Sequence, residues 1–202
     1  MPRPDAPVTP PAGADLVAAI RSRRSVGRVL RDQVPRTLVE QVLADAMRAP
    51  NHHLTEPWRF VVLSGDARRA LGEVHARAVA RARPDHPPAG LEKEAARLER
   101  APVVIACIVR PTADPAVDPT VAREDRDAVA AAVQTLLLSA HARGLGAMWR
   151  TGAMVDEDEV RADLGLGPHD AVVAFVYLGW PAEEPGPPTP RQRAAEAIEW
   201  RG

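Results

Sequence analysis

An uninterrupted apolar run, Val103–Val109, constrains the fold of this chain more than any other part of its sequence. A strand with one solvent-exposed face alternates apolar and polar side chains, whereas this run has no polar residue and is rich in β-branched ones. The run therefore predicts a strand that is buried on both faces, at the centre of a sheet.

The remaining hydrophobic patterns predict further helices and strands. Helices are predicted at 16–24, 36–49, 66–81, 91–100, 124–143 and 156–164, and strands at 58–63, 145–151 and 171–178. Asp15 is the predicted N-cap of the first helix. The helix at 124–143 has few polar interruptions and is expected to be buried on nearly all sides, with Gly144 closing it as a C′ residue. This order of elements indicates an α+β or a three-layer α/β domain, with linkers at 85–90 and 111–120.

The composition is that of one folded domain with extensions. The chain has 202 residues, of which 46% are hydrophobic and 26% charged, so it can bury a core of its own. Two Pro-rich ends, 1–14 and 182–202, are predicted to flank a domain at 15–181. The C-terminal extension, which ends in a short helical pattern, is expected to lie on another surface.

Charge and cysteine content exclude several functions. Twenty-six basic against 27 acidic residues give a formal charge of −1, which provides no field to hold nucleic acid or an anionic membrane. Cys107 is the single cysteine, so an internal disulfide and a cysteine-based zinc site are excluded and the cytoplasm is the expected compartment. The sequence contains neither a signal-peptide pattern nor an apolar stretch long enough to span a bilayer.

Basic and hydroxyl side chains cluster at the end of the first predicted helix. Arg23, Arg24 and Ser25 are suited to hold a phosphate through charge-assisted hydrogen bonds. The alternative is a solvated basic helix end that the helix dipole favours. The cluster alone does not decide between the two interpretations.

The densest group of chemically versatile side chains follows the second predicted helix. Residues 51–58 contain two histidines, a carboxylate and a tryptophan in a loop before a strand. His52 and Glu56 are candidate metal ligands, but the chain lacks a His-Glu-x-x-His pattern and Pro57 interrupts any helical face. The alternative is a polar loop anchored by Trp58.

A third candidate segment, Trp149, Arg150 and Thr151, lies at the carboxyl end of a predicted strand, where open α/β sheets bind ligands. The preceding Gly144-x-Gly146 lacks the third glycine of a dinucleotide fingerprint and opens no helix. The sequence also lacks a phosphate loop and a nucleophilic serine elbow. Acidic residues at 124–127 are interpreted as a helix start.

Taken in order, four segments of the chain resemble the FMN-dependent nitroreductase family, and its short single-domain members most closely. They are 22–25 (SRRS), 49–60 (APNHHLTEPWRF), 144–152 (GLGAMWRTG) and 176–181 (VYLGWP). The resemblance covers about 15–181 and leaves both Pro-rich ends outside.

The resemblance implies an α+β fold, a three-layer sandwich with a mostly antiparallel central sheet, and a homodimer that holds two FMN molecules at its interface. The C-terminal extension would then lie on the partner subunit. Among the matching positions, Arg23, Arg24 and Ser25 would contact the phosphate and ribityl groups. The other matching positions, expected beside the flavin, are His52, Glu56, Trp149, Arg150 and Thr151. No side chain is expected to be catalytic and no metal is implied, because the flavin carries the chemistry.

The implied activity passes hydride from NAD(P)H to FMN and then to a nitroaromatic, a quinone or a similar acceptor. One residue departs from the family pattern, because Glu56 occupies a position where short members commonly have an amide. An ionised Glu can only accept hydrogen bonds, so we expect it to lower the flavin potential or to take up a proton. The alternative function is a flavin- or nucleotide-binding module without turnover.

Overall fold

The computed structural model describes residues 16–184, 186–187, 190 and 194–202. Its helices are α1 (Leu16–Ser22), α2 (Arg36–Ala46), α3 (Asp66–Ala82), α4 (Pro88–Ala95), α5 (Pro119–Ala142), α6 (Asp158–Asp163) and α7 (Ala194–Ala197). Its strands are β1 (Trp58–Ser64), β2 (Val103–Val109), β3 (Gly146–Arg150) and β4 (Ala171–Gly179). Single 3₁₀ turns cover His52–Leu54, Arg97–Arg100 and Ala153–Val155.

The four strands form one antiparallel sheet in the order β1-β2-β4-β3. Strand β2 lies at its centre, where Cys107 pairs with Phe60 on one side and with Ala174 on the other. All residues of β2 are buried, which confirms the prediction made from the apolar run. The antiparallel pairing confirms the α+β alternative over a parallel α/β sheet.

Helices cover both faces of this sheet and make the predicted three layers. Side chains of β2 point alternately to the two faces. Val103, Ile105, Cys107 and Val109 pack with buried residues of α2 and α5, whereas Val104, Ala106 and Ile108 pack with residues of α3 and α6. Each fully buried Val, Leu or Ile stabilises the fold by about 1.5–3 kcal/mol relative to an exposed one.

Helix α5 begins earlier than the sequence predicts. Asp118 caps it, because its carboxylate accepts the backbone N–H groups of Thr120 and Val121, each at 3.1 Å. Pro119 then occupies the first turn, where its missing N–H costs nothing. The linker predicted at 111–120 is correspondingly shorter. One side of α5 is less covered than predicted, since Asp127 and Gln134 are exposed.

Other helix boundaries also differ from the predicted ones. The helix predicted at 91–100 is two elements, α4 and the 3₁₀ turn Arg97–Arg100, and α4 begins within the predicted loop at 85–90. Helix α1 ends at Ser22, so 23–25 follow the helix instead of ending it. The Asp15 cap and the extension 1–14 lie outside the described residues, as does part of 182–202.

A partly buried polar network around His75 ties α3 to its neighbours. The two ring nitrogens of His75 lie 2.6 Å from a carboxylate oxygen of Glu157 and 3.1 Å from one of Glu94, which also pairs with Arg97. Burial disfavours the ionised Glu94, but Arg97 and His75 outweigh it and hold the pKa of this carboxyl below its usual value. The network therefore adds charge pairing to the apolar contacts of this layer.

The segment between α1 and α2 covers the outer edge of β3. The Val26 N–H donates to the Ala147 carbonyl at 3.0 Å, and Val29 forms an isolated bridge with Pro181. Gly146 makes this approach possible, because a Cβ there would lie 2.8 Å from the Val26 side chain. No helix in the described ranges is long and apolar enough to cross a bilayer.

Candidate functional site

Ser22, Arg23, Arg24 and His141 form a cationic cluster where the end of α1 meets the last turn of α5. The Ser22 hydroxyl lies 2.8 Å from Nε2 of His141. Partial burial and then the charges of Arg24 and Arg23 hold the pKa of His141 below its usual value. An anion bound here would relieve this repulsion, so the cluster is chemically suited to a phosphate.

Ser25 and Arg24 also line a small cavity next to the cationic cluster. The cavity has a volume of about 250 Å³, and its walls include Arg28, Glu183 and Glu184. Arg28 is paired with Glu183 at 2.9 Å, so one carboxylate of this wall is neutralised. The sequence grouped Arg23, Arg24 and Ser25 by residue type, by spacing and by the family resemblance. The structure adds His141, which comes from a distant part of the chain.

Residues 51–57 form a histidine loop, which carries His52 and Glu56 and has a constrained backbone. His53, Leu54 and Glu56 have φ values of 52°, 53° and 46°, in the left-handed region that costs a non-glycine residue about 1–2 kcal/mol. The Asn51 side chain accepts the Glu56 N–H at 3.0 Å and helps to close the loop. His52 and Glu56 are left exposed, so they are available to a ligand or a second chain.

A shallow cavity of about 430 Å³ lies beside His52, against α5. Carboxylates of Glu124 and Asp127 and the small side chains of Ala128 and Ala131 form its far wall. The rings of His52 and His53 touch edge to face, with centroids 4.0 Å apart. Across the described ranges, no group of three or more His, Cys, Asp or Glu side chains is arranged to hold a metal ion.

The third predicted segment divides between the two faces of the sheet. Trp149 packs against the core shared with α2 and α5. The Arg150 guanidinium lies 5.6 Å from the ring centroid of Tyr177, a residue of the opposite core. Thr151 is exposed. Trp149 and Arg150 are each half-buried, so part of both side chains stays accessible to a ligand.

Helix α5 separates the cationic cluster from the histidine loop within one chain. The loop contacts α5 through Asp125, and the cationic cluster contacts it through His141. At the usual helical rise these two residues are about 24 Å apart along the axis. Gly144, with φ 75°, ends α5 as predicted and leads into β3, which packs against the same helix.

Two residues of this region, His141 and Asp125, were not identified from the sequence. His141 carries no local signal, because its contact with Ser22 joins positions that are far apart in the chain. Asp125 was included in the acidic helix start. Helix α5 instead starts at Pro119, which places Asp125 in its second turn and 1% exposed. The burial of this carboxylate, which marks Asp125 as a residue with a specific contact, is visible only in the three-dimensional structure.

These features define a three-layer α+β protein with an antiparallel sheet and a cationic cluster suited to an anion. The chain belongs to the nitroreductase family, since a sequence model of that family matches residues 20–180. Family membership makes it an oxidoreductase by class, and the resemblance identified in the sequence is confirmed.

Individual relatives agree with this assignment. The chain is 30% identical over 168 residues to "Putative NAD(P)H nitroreductase YfhC" of Bacillus subtilis, which covers 82% of this chain and 84% of the relative. It is 33% identical over 217 aligned positions to a Thermus thermophilus protein named NADH dehydrogenase, with 93% of this chain and 96% of that protein covered.

Solved structures share the fold. A nitroreductase-like family protein from Bacillus cereus superimposes with a TM-score of 0.78 at 23% identity, covering 93% of this chain and 96% of the other. A mutant of NfnB from "sphigopyxis sp. strain HMH", described as an FMN- and NADPH-dependent nitroreductase, gives 0.75 at 21% identity, with 93% and 99% covered.

Proposed function

We propose that the protein is a homodimeric FMN-dependent oxidoreductase of the cytoplasm that takes hydride from NAD(P)H and reduces nitroaromatics, quinones or similar acceptors. The cationic cluster carries this proposal, because it supplies the guanidinium groups of Arg23 and Arg24 where the family resemblance expects a flavin phosphate. The NfnB description, which names both FMN and NADPH, supports the same pair of cofactors.

The residues of this chain fit the two ends of FMN. Arg23, Arg24 and Ser25 would hold the phosphate, which carries close to two negative charges at neutral pH. Polar side chains of the histidine loop and of 149–151 would orient the ring system. When bound, FMN supplies the hydride chemistry, while the chain supplies position, polarity and exclusion of water.

A second copy of the chain explains how both groups of residues would reach one flavin. Within one chain they lie at opposite ends of α5, about 24 Å apart along its axis. Helix α1 also exposes an apolar face, with Leu16 66% and Ile20 53% exposed, and Leu54 of the histidine loop is 82% exposed. A partner subunit would cover such surface. We propose that the extension 182–202 lies on that partner beyond the domain 15–181.

Glu56 would modify the flavin instead of catalysing a step. Its exposed carboxylate can only accept a hydrogen bond, and it would repel the negative charge that the flavin gains on reduction. A flavin held beside it would therefore have a lowered potential, unless Glu56 takes up a proton. The alternative of a binding module without turnover follows from the same feature.

The experiment is a titration of purified protein with FMN, followed by anaerobic addition of NADPH and of NADH. The proposal expects that FMN binds and that NADPH or NADH bleaches its absorption at about 450 nm. Addition of a quinone or a nitroaromatic should then restore the absorption. Bound flavin that neither nucleotide reduces would favour the binding module. Failure to bind FMN would refute the cofactor assignment.

A further inference from the structure

The buried carboxylate of Asp125, to which the sequence assigned no contact, joins two loops to α5. Asp125 is 1% exposed, and each of its oxygens has its own partner. Oδ1 accepts the Thr55 hydroxyl at 2.7 Å, while Oδ2 accepts the backbone N–H of Thr112 at 2.8 Å and its hydroxyl at 2.9 Å. One side chain thus connects the segment before β1 with the segment after β2.

Thr55 lies inside the part of the histidine loop that has left-handed backbone. Leu54 precedes it and Glu56 follows it, both at positive φ. The Thr55 N–H also donates to the His52 carbonyl at 3.2 Å, so Thr55 holds the loop at the backbone and at the side chain. A loop in an unfavourable conformation persists only when its surroundings fix it.

We propose that Asp125, acting through Thr55, is a positioning residue that fixes the histidine loop in the conformation required to receive FMN. The inference rests on the proposed function, because it treats His52 and Glu56 as residues beside the flavin. Asp125 itself touches no cofactor. It holds the loop against the rigid core helix of the domain, so that the loop is preorganised before FMN arrives.

The two carboxylate oxygens of Asp125 bind different threonines, and this provides a matched control. Thr55→Val removes the hydroxyl that bonds Oδ1 and keeps the shape of the side chain. Thr112→Val removes an equivalent hydroxyl from Oδ2, but the Thr112 backbone N–H remains to satisfy that oxygen. Each variant loses one hydroxyl bond to the same carboxylate, and only the first one releases the histidine loop.

The test compares these two variants with the wild type and with Thr55→Ser, which restores a hydroxyl. Amide hydrogen exchange of 52–56 is measured on the flavin-free proteins, and FMN affinity and the visible circular dichroism of bound flavin on the loaded ones. We expect Thr55→Val to exchange faster in the loop, to bind FMN about tenfold more weakly and to alter the flavin spectrum. Thr55→Ser and Thr112→Val should stay close to wild type.

The outcomes separate the inference from the proposed function. If wild-type protein binds no FMN, the proposed function is refuted. If wild-type protein binds FMN and Thr55→Val matches Thr112→Val in loop exchange, affinity and spectrum, the positioning role of Asp125 is refuted and the cofactor assignment stands. An affinity loss that Thr55→Ser fails to rescue would also count against the hydroxyl bond.

Discussion

The pH dependence of FMN binding should depend on His141. In the flavin-free protein, burial and the charges of Arg24 and Arg23 hold the pKa of His141 below its usual value, so the neutral imidazole predominates near pH 7. A phosphate bound at the cationic cluster would stabilise the imidazolium and raise this pKa. Between the two pKa values binding takes up a proton, and affinity must then increase as the pH falls.

The size of this effect has a physical ceiling. One proton per site changes Kd by at most tenfold per pH unit, equivalent to about 1.4 kcal/mol. The FMN phosphate acts in the opposite direction, because its second pKa is about 6 and it loses charge at lower pH. Both wild type and His141→Gln bind the same FMN, so the phosphate contribution cancels in the ratio of their Kd values. Gln is chosen because it is uncharged and can still form a hydrogen bond with the Ser22 hydroxyl.

The assay is fluorescence titration of FMN from pH 5.5 to 8 with both proteins. We expect the ratio of the two Kd values to move in favour of the wild type as the pH falls, and calorimetry in two buffers to detect the extra proton taken up by the wild type. Parallel pH profiles with equal proton uptake would refute the proximity of His141 to the phosphate.

Three further predictions concern cofactor affinity and stability. Arg150→Ala should weaken FMN binding about tenfold or more in fluorescence titration, because a charge-assisted contact is lost. Arg59 serves as the control: its guanidinium bonds the Gly165 carbonyl at 3.1 Å, and Arg59→Ala should leave FMN affinity unchanged. Gly72→Ala should lower the unfolding free energy in urea by about 1–3 kcal/mol, because the new Cβ would lie 1.9 Å from a backbone oxygen of α4; an unchanged midpoint would contradict this close packing. Because the pKa of Glu94 is lowered on folding, its ionised form stabilises the protein above the ordinary carboxyl pKa, and this stability is lost as the pH falls through the folded value. Glu94→Gln should therefore show a flatter loss of melting temperature below about pH 4.5, and equal slopes would contradict the pairing.

The sequence predicted the elements whose signals are local. The apolar run at β2 and the terminating Gly144 needed no tertiary information, because burial on both faces and a left-handed helix end each have a direct residue signature. The start of α5 was missed because Pro-rich residues before it indicated a linker, although Pro119 is suited to a first helical turn.

The candidate site was only partly predictable, for a different reason. Arg23 and Arg24 stand out by type and spacing, and the family resemblance gave them a role. The contacts of His141 with Ser22 and of Asp125 with Thr55 join residues 119 and 70 positions apart. Such pairs exist only once the sheet and α5 have assembled, so no local pattern indicates them.

The central claim is that each flavin site is built from two chains, with the cationic cluster from one and the histidine loop from the other. The most direct measurement mixes two variants that are each deficient in FMN binding, Arg24→Ala and His52→Ala, and measures the FMN bound after subunit exchange. Shared sites predict recovery of about one quarter of wild-type capacity, because half of the dimers are mixed and each mixed dimer has one intact site. If each chain forms its own site, mixing restores nothing, and that result would contradict the account.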